Sequence, residues 1–233
     1  MDEFTAVPPG DAAFKDSPID PESMLENVRR IAERFFEGAR GSHDWDHTLR
    51  VFRLCSRIGA KEGVNMSVLL VAAYLHDIGR CYQDASSGAV CHAEKGAEMA
   101  IPIVSALPLS EKQKQNVVHC VKSHRFRGNH EPRTAEAKVL FDADKLDAIG
   151  AVGVGRAFLF AGEVGARLHS SEIDVEKAPP YSKDDTGYRE YKVKLSKIRD
   201  RILTQTGKKL ANERHDFMEQ FFKRFIKEYG GER

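Results

Sequence analysis

No stretch of this sequence is apolar for long enough to cross a bilayer. The longest apolar run, residues 68–75, is eight positions long, where about 20 are needed. Charge of one sign is missing too. Lys and Arg number 36 and Asp and Glu 35, a formal net charge of +1. That balance argues against a nucleic-acid partner or an anionic membrane surface. Cysteine is scarce: Cys55, Cys81, Cys91 and Cys120 form no CxxC pair and read as reduced thiols, not a disulfide frame. The opening Met1-Asp2-Glu3-Phe4 lacks the basic and apolar segments of a secretory leader. The expectation is a soluble, cytoplasmic protein with no membrane segment. Neither sustained two-residue alternation nor a repeat of fixed period is visible, which removes most sheet architectures and solenoids.

Helical patterning fills the rest. With 233 residues the chain can bury a substantial core. Residues 1–20 hold Pro8, Pro9, Gly10 and Pro18 with little periodicity and read as a flexible lead-in. Residues 21–233 read as a single domain. Pro21-Glu22-Ser23 starts a helix running to about Phe36, and Gly38 and Gly41 break it. Ser42 or Asp44 caps the next, with Asp46 near its positive end. Asn65 or Ser67 starts a third, apolar nearly all round, with Gly79 as its C-terminal stop. Further helices are expected at about 92–105, 111–124, 134–148, 151–162, 188–206 and 209–229. The fold class is therefore all-α: a helical bundle around a buried site. Residues 163–187, rich in Gly, Ser, Asp, Pro and Lys, form a long loop that could serve as a lid.

Within this pattern lies an ordered series of potential ligands: His47 in an amphipathic helix, His76-Asp77 closing the apolar run, and the acids Asp142, Asp144 and Asp147. Two imidazoles and two carboxylates on one ion suit Mn, Fe, Co, Ni or Mg better than a thiolate-rich zinc site. Four protein ligands on an octahedral ion leave positions for water and substrate. A buried His-Asp pair demands a partner or a metal. Asp144 and Asp147, three apart, share a helix face, and three acids so close together need cations nearby; Lys145 is one. The glycines of Gly150-Ala151-Val152-Gly153-Val154-Gly155 do not follow a strand and lack the last glycine of a dinucleotide loop, so they read as close helix packing. Phe217, Phe221, Phe222 and Phe225 form an aromatic ridge, either core or a homodimer seam.

The strings HDWDHTLRV, LHDIGR and DADKLDAIGAVG, in that order, resemble the HD-domain superfamily of metal-dependent phosphohydrolases, closest to its stand-alone bacterial and archaeal branch. The resemblance covers roughly residues 24–229. It implies an all-helical HD-type bundle and one divalent cofactor (Mn, Mg, Co, Ni or Fe) held by His47, His76, Asp77 and Asp144. Asp144 is chosen over Asp142 because the family's ligand immediately precedes the basic or polar residue. Asp142 and Asp147 then become supporting groups that orient ligands. His92 and His124 match positions that bind a second ion in two-metal members and meet substrate phosphate in one-metal members; one tight metal is favoured here. His43 and Asp44 match the family string without a defined task beyond capping.

The sequence also departs from some relatives. Those that hydrolyse guanosine tetraphosphate carry acids just after the His-Asp pair, and some nucleotidases carry a glutamate three residues beyond its Asp. Here Ile78-Gly79-Arg80 follows. The second signature of the cyclic-dinucleotide phosphodiesterases is missing as well. The expected reaction is metal-assisted hydrolysis of a small phosphorylated metabolite, a nucleotide for preference, as pyrophosphohydrolase or phosphomonoesterase. In it Asp77 helps hold the reacting centre, and Arg80, Lys145 and Arg125 or Arg127 neutralise phosphoryl charge. His92 or His124 supplies the leaving-group proton. The rival reading is an HD fold that binds metal and nucleotide as a sensor without turnover.

Overall fold

The computed structural model describes residues 20–38, 44–86, 88–125, 130–172 and 174–232. Residues 1–19, Gly41, Ser42, His43 and Arg127 lie outside that set, so the lead-in and the expectations on those residues are not described. The described residues carry ten α-helices and no strand: α1 Pro21–Glu33, α2 Trp45–Glu62, α3 Met66–Leu75, α4 Arg80–Ala85, α5 His92–Ser105, α6 Glu111–Ser123, α7 Ala135–Asp147, α8 Gly150–Glu163, α9 Gly187–Val193 and α10 Gln205–Tyr229. The all-α expectation holds. Among the described residues no helix is long and apolar enough to cross a membrane.

Helix α3 is the centre because its sequence allows nothing else. Val68, Leu69, Val71, Ala72, Ala73, Tyr74 and Leu75 are all buried, so neighbours must cover it on every side. Those neighbours are α1, α2, α6 and α7. Asn65 caps it, its side chain accepting from Val68 N. Phe52 of α2 stacks on Tyr74 with ring centroids 4.3 Å apart. Asp44 caps α2: its Oδ1 accepts from His47 N at 3.1 Å. At the other end Gly63, φ +66°, takes the left-handed turn that closes α2.

Gly79 differs from expectation. It does not end α3 with a left-handed turn: α3 stops at Leu75, and Gly79 (φ −87°) precedes α4. Its missing side chain matters for packing. A Cβ there would sit 2.4 Å from His92 O and 2.6 Å from Gly96 N, so the chain after His76-Asp77 lies directly on the start of α5.

The expected helix 188–206 is also corrected. Helix α9 ends at Val193, and two 3-10 turns, Leu195–Lys197 and Arg199–Arg201, follow before α10 starts at Gln205. Leu195, Ile198 and Ile202 are buried; their spacing of three and four imitates an α-helical face. The interruption has a cause in α7. Asp142 accepts from Leu203 N (2.8 Å), Thr204 N (2.7 Å) and Thr204 Oγ1 (2.6 Å), and Thr204 Oγ1 in turn accepts from Gly207 N. Asp142 therefore ties down the start of α10 and is not an orienter of metal ligands. Asp142→Ala strands two buried donors and should cost about 3 kcal/mol of unfolding free energy in a urea titration; a loss under about 0.5 kcal/mol would show that the tether carries no load.

The long loop packs on α9 and α10. His169 lies among Tyr188, Phe225 and Tyr229, and Tyr229 Oη donates to His169 O. In the aromatic ridge Phe222 is buried, Phe221 and Phe225 pack against Phe158, and Phe217 remains exposed. Gly153 packs against Ala148 O, whereas Gly155 faces open space.

Candidate metal centre

The site forms where helix ends meet. His47 lies in the first turn of α2, His76 caps the C-terminus of α3, His92 opens α5 and His124 caps the C-terminus of α6. Asp144 and Asp147 come from the last turn of α7. His47, His76, Asp77, His92 and His124 are each buried.

Each imidazole is oriented by what its Nδ1 meets. His76 Nδ1 is 2.8 Å from Ala73 O and His124 Nδ1 is 2.6 Å from Val121 O. A carbonyl oxygen only accepts, so both Nδ1 atoms carry the proton. His92 Nδ1 donates to Gln83 Oε1 at 2.7 Å, and His47 Nδ1 to Asp147 Oδ2 at 2.8 Å. In the neutral rings every Nε2 is then an acceptor, and all four point inward. His47 Nε2 is 3.4 Å from His76 Nε2 and 3.4 Å from Asp144 Oδ1. His92 Nε2 is 3.1 Å from His124 Nε2.

Acceptors crowded at such distances repel unless a cation joins them. Adjacent donors on an octahedral ion bound at about 2.1 Å lie about 3 Å apart. The donor atoms of His47, His76 and Asp144 form one group of suitable size, and those of Asp77, His92 and His124 form another. Asp77 faces both: Oδ2 is 3.7 Å from His47 Nε2 and 3.9 Å from His76 Nε2, and Oδ1 is 3.4 Å from both His92 Nε2 and His124 Nε2. Nitrogen and carboxylate donors of this kind fit a divalent first-row ion or Mg.

Charge is distributed accordingly. Burial pushes His76 down to about 4 and His92 down to about 2, so both are neutral and ligand-competent at neutral pH. Burial would raise Asp77, but Arg80 and the surrounding histidines outweigh it and hold the carboxyl well below its usual range. Asp144 behaves the same way through Lys145 and His47. Burial opposes the charged form of His47, yet the facing carboxylates of Asp144 and Asp147 leave its pKa raised.

The remaining predicted residues fall as follows. Arg80 Nη2 lies 3.1 Å from each oxygen of Asp77. Lys145, expected to meet substrate, is buried and donates to Asp144 Oδ2 and His124 O, so its ammonium braces the centre from within. Arg125, next to His124, donates to Cys91 Sγ at 3.2 Å. Asp147 accepts from His47, from Arg50 Nε at 2.7 Å and from Arg156 Nη1 at 2.6 Å. The sequence reading missed Gln83, Arg50 and Arg156. Arg50 was within reach of it, being three residues from His47 on one helix face; Arg156 and Gln83 join only through tertiary packing. Asp147→Asn keeps the shape but removes the anion that His47 and two arginines share. Metal affinity should fall about 10–100-fold in a chelator competition, and unchanged affinity would free Asp147 from any orienting task.

Comparison with known proteins agrees with this geometry. The family model for the HD domain matches residues 44–149, the span from the cap of α2 to the residue before α8. Bacillus subtilis YpgQ is 30% identical over an alignment of 224 positions that covers 89% of this chain and 95% of that protein. The chain belongs to the HD-domain superfamily of metal-dependent phosphohydrolases. HD domains bind divalent metals. Among solved structures, Bacillus subtilis YpgQ in complex with ADP superposes with a TM-score of 0.70 at 28% identity, covering 89% of this chain and 96% of that one. An HD-superfamily hydrolase from Bacillus thuringiensis gives a TM-score of 0.70 at 28% identity, covering 91% and 99%. Ribonuclease Y of Symbiobacterium thermophilum is 31% identical over 123 residues, 53% of this chain but 22% of that protein.

Proposed function

We propose that the protein hydrolyses a nucleotide, with His47, His76, Asp77 and Asp144 holding one divalent ion. The observation that carries this reading is the set of four imidazoles whose Nδ1 protons are all spent outward, leaving acceptor nitrogens aimed at two carboxylates. A similar structure, that of YpgQ, is in complex with ADP, which supports a nucleotide as the ligand class. When bound, a divalent ion lowers the pKa of a coordinated water and polarises a phosphoryl oxygen. The chain's own residues do the rest. Asp147 and the Ala73 carbonyl fix the ring planes of His47 and His76. Lys145 holds Asp144. Arg80 and Arg125 stand beside His92 and His124 and offset charge gathering on the phosphoryl oxygens. His124 would relay to the leaving oxygen the proton that the attacking water loses, since the Nε2 of His92 is taken by Arg80.

The test is a matrix of nucleoside mono-, di- and triphosphates against Mn, Mg, Co, Ni and Fe(II), reading phosphate and pyrophosphate separately. Pyrophosphate release from a triphosphate is the expected result. Nucleotide-dependent thermal stabilisation without turnover in any cell of the matrix would replace the enzyme by a sensor.

A further inference from the structure

The second group of ligand atoms, Asp77, His92 and His124, already contains a cation. Arg80 Nη2 lies 3.1 Å from Asp77 Oδ1 and 3.3 Å from His92 Nε2. Because His92 Nδ1 donates to Gln83, its Nε2 can only accept from that guanidinium. Arg80 opens α4, three residues after Asp77, and its side chain is 15% exposed. The short turn over Gly79 leaves it little freedom, since the backbone there lies against α5. A guanidinium keeps its proton at any pH the protein meets, so this positive charge is permanent.

We infer that Arg80 is the resident cation of the second cluster: it takes the place of a second divalent ion, holds the centre at one metal, and supplies from a fixed side chain the second positive charge that two-metal phosphohydrolases obtain from an ion. The inference rests on the one-ion reading above. Two-metal sites share a phosphoryl group between ions about 3.5–4 Å apart, and Asp77, with one oxygen toward each cluster, is the carboxylate such a pair would share. A guanidinium bound to His92 takes the nitrogen that the second ion needs, while it shares both oxygens of Asp77. It also keeps a planar fork of donors for phosphate.

The experiment measures metal, not turnover. Full-length wild type, Arg80→Ala, Arg80→Lys and Arg80→Ala/His92→Ala are stripped, reloaded with excess Mn, desalted, and read by elemental analysis and by electron paramagnetic resonance. Wild type should hold about one ion with an uncoupled spectrum. Arg80→Ala should hold about two, with the exchange-coupled signal of a neighbouring pair, and the double variant should return to about one. Arg80→Lys, which keeps the charge and folds without a hole, should stay at about one. Two ions in wild type overturn the inference, as does one uncoupled ion in folded Arg80→Ala. No ion in wild type sinks the one-ion reading itself, a result distinct from either.

Discussion

His76→Ala and Asp77→Ala should each leave a folded protein that no longer retains metal. Both residues follow the last turn of α3, and neither belongs to the apolar packing that holds the bundle together. His76→Ala removes one bond, from Nδ1 to Ala73 O, and a ring's worth of burial, a loss of about 2 kcal/mol. Asp77→Ala removes one partner of Arg80, which is partly exposed to water and keeps its contact with His92. Neither change should abolish a cooperative melt. Metal content is another matter. Among the described residues Asp77 is the one carboxylate directed at both groups of nitrogens, and His76 offers one of the two nitrogens in its group. Retained metal should drop below about a tenth of wild type and turnover by a factor on the order of 10³. Elemental analysis beside circular dichroism reads both. Full metal in both folded variants would end the assignment.

Gly79→Ala should be a severely damaging single methyl. The added carbon meets backbone, His92 O and Gly96 N, at distances that atoms do not tolerate, and backbone cannot swing aside as a side chain can. Either α5 or the turn after Asp77 must move. The expected loss is about 3 kcal/mol or more, which in a chain of this length corresponds to about 10 °C in melting temperature. Because the displaced helix begins with His92, metal affinity should fall as well. Gly155→Ala is the internal control. It places a methyl in open space on α8, and it should stabilise by up to about 1 kcal/mol through helix propensity. A melt of Gly79→Ala that overlays wild type would show that the close approach carries no strain.

How much of this was legible beforehand depends on the kind of signal. Helix α3 was readable because eight apolar residues without turn chemistry leave only a buried element. The four proposed ligands were readable as ordered strings, and the metal-ligand groups contain all of them once Asp77 is counted with its neighbours. Asp142 was misassigned because an acid two residues before Asp144 looks like a partner in sequence. On a helix those two positions lie about 200° apart, and Asp142 faces α10. The 188–206 segment was misread because 3-10 turns preserve a three-residue spacing of buried side chains. Arg156 and Gln83 left no trace in the sequence: their partners, Asp147 and His92, are nine residues away along the chain and meet them only across helix junctions.

The four site histidines hang from the tips of α2, α3, α5 and α6, and His47 reaches its carboxylate partner Asp147 across 100 positions of chain. A partly folded polypeptide therefore has no place to seat an ion, and cannot use one as a nucleus. The bundle must finish first. Chelation should accordingly disarm this protein without unravelling it, and reloading should need no refolding. The metal should be the last component installed, which would make the apo form a storable intermediate and not a casualty.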